Sequence, residues 1–217
     1  MFSDLTGRKR RPVRWFGFCM ARLALVLPLT VFAADVGTLT LVCGGCHGPG
    51  GLSTNSTVPI IAGQAFTFIE DTLLAFQDDE RACTETEFLR DEAAALVSTM
   101  CAIVATLENR DISALAEFYE LQTFVPSSQP YDPSLAAEGA IIHLDANCEL
   151  CHSQGGRETN GMSAILAGQW TPYLERSLMR IRAGERMGPT VMNQAISELT
   201  DHEIAALLNY YASQVAP

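Results

Sequence analysis

The same pentapeptide occurs twice: Cys43-Gly44-Gly45-Cys46-His47 and Cys148-Glu149-Leu150-Cys151-His152. Both read C-x-x-C-H, the pattern of covalent c-type haem attachment. The spacing follows from the chemistry. Two thiols three residues apart on one helical turn can each add to a haem vinyl group. The adjacent histidine then points its imidazole at the iron as proximal ligand. Two other readings use the same cysteines, either as one tetrahedral zinc site or as redox dithiols. Neither explains why a histidine follows at the same offset in both copies.

The copies belong to a longer repeat. Cys43 to Cys148 and His47 to His152 are 105 residues apart, and Ala62-Gly63-Gln64 returns as Ala167-Gly168-Gln169 at the same offset. Further on, Leu107, Ile112, Tyr119 and Gln122 match Leu199, Ile204, Tyr211 and Gln214 at an offset of 92. The first repeat therefore carries an insert of 13 residues, placed within about 77–99. The repeats span 34–124 and 132–217, joined by the Pro/Ser-containing linker 125–131. Each is short enough to be marginal alone. A buried haem would supply the missing apolar core.

Residues 1–33 read as a secretory signal peptide. Arg8, Lys9, Arg10, Arg11 and Arg14 form a basic region, Leu23–Phe32 an apolar run, and Val31-Phe32-Ala33 a cleavage site. The run is too short for the roughly 20 residues of a spanning helix, so no stable membrane insertion is expected after cleavage. Removing 1–33 takes 6 of the 14 basic and 1 of the 25 acidic residues, leaving 8 arginines, no lysine and a formal charge of −16. That balance excludes a nucleic-acid partner. It suits solubility, and equally steering toward a basic face on a redox partner. Export implies the periplasm. Cys19 leaves with the signal. In an oxidising compartment the leftover Cys83 and Cys101 suggest a disulfide, two unpaired buried thiols being the other reading.

The local patterns are helical. Asp132-Pro133 starts a helix whose Leu135, Gly139, Ile142 and Ala146 share one face. Thr200-Asp201-His202-Glu203 reads as a capping box ahead of Ile204, Leu207, Leu208 and Tyr211. Ile112, Leu115, Ala116 and Tyr119 take those places in the first repeat. No strand-like alternation of any length is seen, so the expected class is all-α.

A second axial iron ligand is expected from methionine. Met100 and Met192 match at the offset of 92, each seven residues before the leucine that precedes the terminal helix. Met187 rivals Met192, whereas Met162 and Met179 read as core or surface. His143 and His202 are unrepeated and read as surface residues. Arg180, Arg182 and Arg186 suit either haem propionates or a solvated face.

With these residues in place, the chain resembles the two-domain class I cytochromes, which include cytochrome c4 and the dihaem cytochrome subunit of flavocytochrome c sulfide dehydrogenase. It is more similar to the latter in Ile165-Leu166-Ala167-Gly168-Gln169-Trp170-Thr171-Pro172-Tyr173-Leu174 and in the crossing segment Gln122-Thr123-Phe124-Val125-Pro126 with Tyr131-Asp132. The resemblance implies two tandem class I cytochrome c domains related by a pseudo-twofold, each enclosing one haem c. It implies His47 with Met100 and His152 with Met192 as axial pairs, and a partner containing FAD that oxidises sulfide. The insert, the lack of lysine and the change from Pro59, whose carbonyl can orient the proximal histidine, to Ala164 depart from the pattern. The expected function is single-electron transfer without catalysis. Alternatives are a free cytochrome c4-like carrier to a terminal oxidase and a dihaem peroxidase. The last needs an open iron position that the two methionines would fill.

Overall fold

The computed structural model describes residues 35–83, 86–91, 94–186 and 188–214, with backbone alone from 86 to 97. The expected signal peptide (1–33), Cys19 and Met187 lie outside the described residues. Both repeats fall within one unit, Ala33–Pro217.

Each repeat opens with a helix that delivers the pentapeptide. α1 (Val36–His47) runs through the motif, so Cys43, Cys46 and His47 share its final turns. α5 (Pro133–Asp145) starts as its sequence demands. The Asp132 carboxylate accepts from the Ser134 and Leu135 N–H groups at 2.7 and 3.2 Å, and Pro133 occupies a position that needs no donor. α5 ends before the second motif. Asn147 turns left-handed (φ 59°) and Cys148–Leu150 form a 3-10 turn. The motif thus rides on an α-helix in one repeat and on a tighter turn in the other.

The hairpin in the insert departs from the sequence expectation. β1 (Thr86–Asp91) pairs antiparallel with β2 (Ala94–Ser98), Thr86 opposite Ser98. The register slips between Leu89 and Asp91. These strands lack period-2 alternation, which is why the pattern hid them. A disulfide between Cys83 and Cys101 ties the base of the hairpin, 18 residues apart in sequence. Closing the loop covalently limits the freedom of this segment in the unfolded chain.

The remaining elements are helical, and the helical fold class holds for both repeats. α2 (Phe66–Gln77), α3 (Met100–Val104) and α4 (Asn109–Glu120) complete the first repeat. The kinked turn α6 (Ser153–Gly156), α7 (Thr171–Arg182), α8 (Thr190–Glu198) and α9 (Asp201–Ser213) complete the second. The capping box of α9 is present: Thr200 N–H donates to Glu203 at 2.7 Å and Glu203 N–H to the Thr200 hydroxyl at 3.2 Å. The terminal helices carry the two cores. Leu115, Ala116 and Tyr119 of α4 pack on Ile69 of α2, and Ile204, Leu207, Leu208 and Tyr211 of α9 pack on Leu174 of α7. These are the apolar stripes expected from spacing.

α5 and α9 cross at Gly139, where a Cβ would overlap the Ala206 carbonyl. Gly139→Ala must push the helices apart, at a cost of about 2 kcal/mol. Thermal unfolding of the holoprotein should occur about 4–8 °C lower, measured by the loss of helical circular dichroism.

Candidate functional site

The two motif histidines sit in equivalent settings. His47 Nδ1 is 2.9 Å from the Pro59 carbonyl oxygen, and His152 Nδ1 is 2.8 Å from that of Ala164. A carbonyl can only accept, so Nδ1 carries the proton and Nε2 keeps its lone pair for a metal. Neither Nε2 makes a hydrogen bond among the described residues. Burial holds both imidazoles below the ordinary histidine range, against the smaller opposing pull of their carbonyl partners. They are therefore neutral and able to ligate. The replacement of Pro59 by Ala164 changes nothing here, because the backbone supplies the acceptor.

The four motif cysteines lie in two separate places and form no disulfide. Among the described residues, no three His, Cys, Asp or Glu side chains converge on one metal position. Burial pushes the Cys43, Cys46 and Cys148 thiols up, leaving little nucleophilic thiolate for dithiol exchange. Tyr119 beside Cys43 and Tyr211 beside Cys148 oppose that rise without cancelling it. The two tyrosines match at the offset of 92.

Met100 and Met192 also occupy matching places, each in the first turn of a short helix between the middle and terminal helices. Thr99 caps α3, its hydroxyl accepting from Ala102 N–H at 3.1 Å. Cys101, next to Met100, is pinned by the disulfide. An apolar cleft opens beside Cys43, lined by Leu39 and Val42 of α1, Ala102 and Ile103 of α3, and Leu115 of α4. Met162 is 65% exposed, and Met179 packs against the second core.

Two polar clusters were not foreseen. His143 is buried, 1% exposed, contrary to its reading as a surface residue. Its Nδ1 meets the Tyr211 hydroxyl at 2.9 Å and its Nε2 meets Glu149 at 2.8 Å. Glu149 also accepts from Gln154 and Gly155 N–H groups, and the Gly155 bond, then His143, then the Gln154 bond hold its carboxyl low. His143 lies four residues after Gly139, on the packed face of α5, and that position was the missed signal. His202 is exposed, as expected, beside Glu138 at 3.0 Å.

The second cluster gathers Arg81, Arg176, Arg180 and Arg186, four of the eight arginines after residue 33, around Tyr173. Arg81 donates to the Tyr173 hydroxyl at 3.2 Å, and its backbone bridges to Arg186. Among the described residues the only carboxylate within 4.0 Å of these guanidiniums is Glu185, at that distance from Arg180. Burial raises the Tyr173 phenol, but Arg81 and Arg186 overcome it and hold it at about 7. Arg182 instead pairs with Asp201 at 2.6 Å.

The repeats dock through the Ala-Gly-Gln runs. Gly63 and Gly168 are left-handed (φ 67° and 71°), and their N–H groups donate to the Tyr119 and Tyr211 carbonyls at 2.7 and 2.8 Å. The turn sends each glutamine into the other repeat. Gln64 Oε1 accepts from Ile165 N–H at 2.8 Å, and Gln169 Oε1 accepts from Ile60 N–H at 2.9 Å. Trp170 donates to the Ser53 carbonyl at 3.0 Å, and Arg176 to that of Thr57 at 2.5 Å. The segment expected as a linker is bolted down as well. Ser127 N–H donates to Gly168 at 2.7 Å and Gln129 to the Gln169 carbonyl at 2.8 Å.

These residues fit covalent haem in each repeat. The donor set in each repeat is two thiols and a neutral imidazole with a free Nε2. The arginines gathered around Tyr173 are chemically suited to propionate carboxylates.

No protein-family model matches the chain. Curated relatives do. The chain is 29% identical over 181 residues to cytochrome c4 of Azotobacter vinelandii, covering 78% of this chain and 82% of that one. It is 25% identical to the thiosulfate dehydrogenase electron acceptor of Thiomonas intermedia, covering 79% and 78%. It is 35% identical over 69 residues to cytochrome c-554(548) of Halomonas halodenitrificans, covering 31% of this chain and 83% of that one. Reduced recombinant cytochrome c4 from Pseudomonas stutzeri superposes with a TM-score of 0.65 at 25% identity, covering 84% of this chain and all of that chain.

The disulfide beside Met100 gives a direct test. Replacing Cys83 and Cys101 by Ser should remove about 3 kcal/mol and lower thermal unfolding by about 6–12 °C. Reductant should shift the parent protein similarly and leave the double variant unmoved.

Proposed function

Because the chain belongs to the class I c-type cytochromes, as a dihaem electron-transfer protein with two covalent haem c groups, we propose that it is an exported, cytochrome c4-like carrier between periplasmic redox proteins. Cys43 and Cys46 attach one haem and Cys148 and Cys151 the other. His47 with Met100 and His152 with Met192 are the axial pairs. The domains are 34–124 and 132–217, joined by 125–131, behind a signal peptide of 1–33. The bound group supplies a reversible one-electron iron couple. The protein orients each imidazole, excludes water with the α4 and α9 cores, and carries an acidic exterior for docking. One observation supports this reading above the rest. Both motif histidines spend Nδ1 on a backbone carbonyl and leave Nε2 unengaged. No helix among the described residues is long and apolar enough to cross a membrane.

The second reading makes the chain the cytochrome subunit of a sulfide dehydrogenase containing FAD. Its motive is the run Ile165–Leu174. That run also holds Gln169, Trp170 and Tyr173, which contact the first repeat. Contacts between repeats account for the run without a flavoprotein, so the c4-like reading comes first. Co-purification of FAD in stoichiometric amount with protein from its native host would reverse the order.

The far-red methionine–iron absorption band tests the ligands. The oxidised protein should show intensity for two haems, and Met100→Ala and Met192→Ala should each remove half. A pyridine haemochrome assay should return two haems per chain. A band worth one haem, or none, would sink the double His/Met assignment and favour an open iron.

A further inference from the structure

The peptide units behind the two histidines have a second connection. In the Pro59–Ile60 unit, the carbonyl accepts from His47 at 2.9 Å and the N–H donates to Gln169 at 2.9 Å. In the Ala164–Ile165 unit, the carbonyl accepts from His152 at 2.8 Å and the N–H donates to Gln64 at 2.8 Å. Each histidine is thus linked through a single peptide group to a glutamine of the other repeat. Both glutamines are 2% exposed, and Ile60 is 3% exposed. Water does not compete for these bonds.

We propose that Gln64 and Gln169 are crossed positioning residues, each setting the reduction potential of the haem in the opposite repeat. An amide whose N–H is engaged has a more polarised carbonyl, so its oxygen accepts more strongly. A stronger acceptor at Nδ1 makes the imidazole a more basic ligand. A more basic ligand favours the oxidised iron and lowers the potential. Gln169 therefore lowers the potential of the His47 haem, and Gln64 that of the His152 haem.

The two arms are not identical. Gln169 Nε2 also donates to the Ile60 carbonyl at 2.8 Å, whereas Gln64 Nε2 reaches that same oxygen only at 3.5 Å. Gln169 grips residue 60 at both its N–H and its carbonyl. Its removal should produce the larger change.

The inference rests on the ligation by His47 and His152 proposed above. The test uses holoprotein, with two one-electron midpoints from spectroelectrochemistry, assigned to each haem by its ring-methyl resonances. Gln169→Met keeps the bulk and removes the acceptor. The His47 haem should become easier to reduce, its oxidised-to-reduced ratio at fixed potential falling about two- to fourfold. That equals a rise of about 20–35 mV for a one-electron couple. The His152 haem should stay put. Gln64→Met should give the mirror image, with a smaller shift. Gln169→Glu supplies a charged and stronger acceptor oxygen and should take the His47 haem below the parent value. A purely structural role would move the haem in the mutated repeat, both haems together, or neither, and any of these overturns the proposal. If the Met variants do not load haem, the Glu variants decide. Glu at 169 must lower the His47 midpoint selectively, and Glu at 64 the His152 midpoint, or the relay is wrong. A parent spectrum without low-spin, histidine-ligated iron would mean instead that the ligation has failed.

Discussion

The hydrogen bond from each motif histidine to a backbone carbonyl is the constraint to which the rest of this structure answers. An imidazole on the end of a helix or turn can rotate, and a metal ligand must not. Holding Nδ1 requires a loop to pass behind the ring with one carbonyl aimed at it. In this chain those loops, 53–61 and 158–166, have no regular structure of their own to hold that aim. They are held by what surrounds them: the left-handed glycines hung from the terminal helices, and the glutamines reaching across from the partner repeat. The terminal helices are in turn fixed by their apolar stripes. Each motif histidine is thereby connected to both cores.

That arrangement explains why so much could be read from the residues. The pentapeptides, the matched methionines and the apolar stripes of α4 and α9 are local patterns with a period or a spacing. The Ala-Gly-Gln runs were visible as repeats, but their purpose was not. Nothing along the chain tells that Gln169 meets Ile60, 109 residues away. His143 was misjudged for a related reason. A lone histidine near a haem motif suggests exposure, yet its place one turn after Gly139 put it on the packed face, with Tyr211 and Glu149 as partners. The hairpin escaped because its strands have no alternating face, and a covalent tie joins the chain at its base. The arginine cluster assembles Arg81 with residues about a hundred positions later, so no local charge run announced it.

The two repeats are equivalent at the histidines and unequal around them. His143, Tyr211 and Glu149 surround the second motif, and the corresponding positions 38 and 44 of the first repeat are Thr38 and Gly44. The first motif sits on a helix whose neighbour, α3, is tied down by a disulfide that the second repeat lacks. Two centres built from one plan thus have different surroundings, a condition for two distinct potentials and hence a direction of electron flow within one chain.

The disulfide at the base of the hairpin sets a problem of sulfur sorting during maturation. Six cysteines lie between residues 43 and 151; two are joined to each other, and the other four are the motif thiols that haem attachment would consume. Ring size works against that outcome, since the close pairs Cys43/Cys46 and Cys148/Cys151 would close far smaller loops than Cys83 and Cys101. An oxidant acting on the unfolded chain by proximity alone would join the wrong partners. The mature pattern therefore demands that the motif thiols be kept reduced until they are consumed, while the insert is oxidised on a separate schedule.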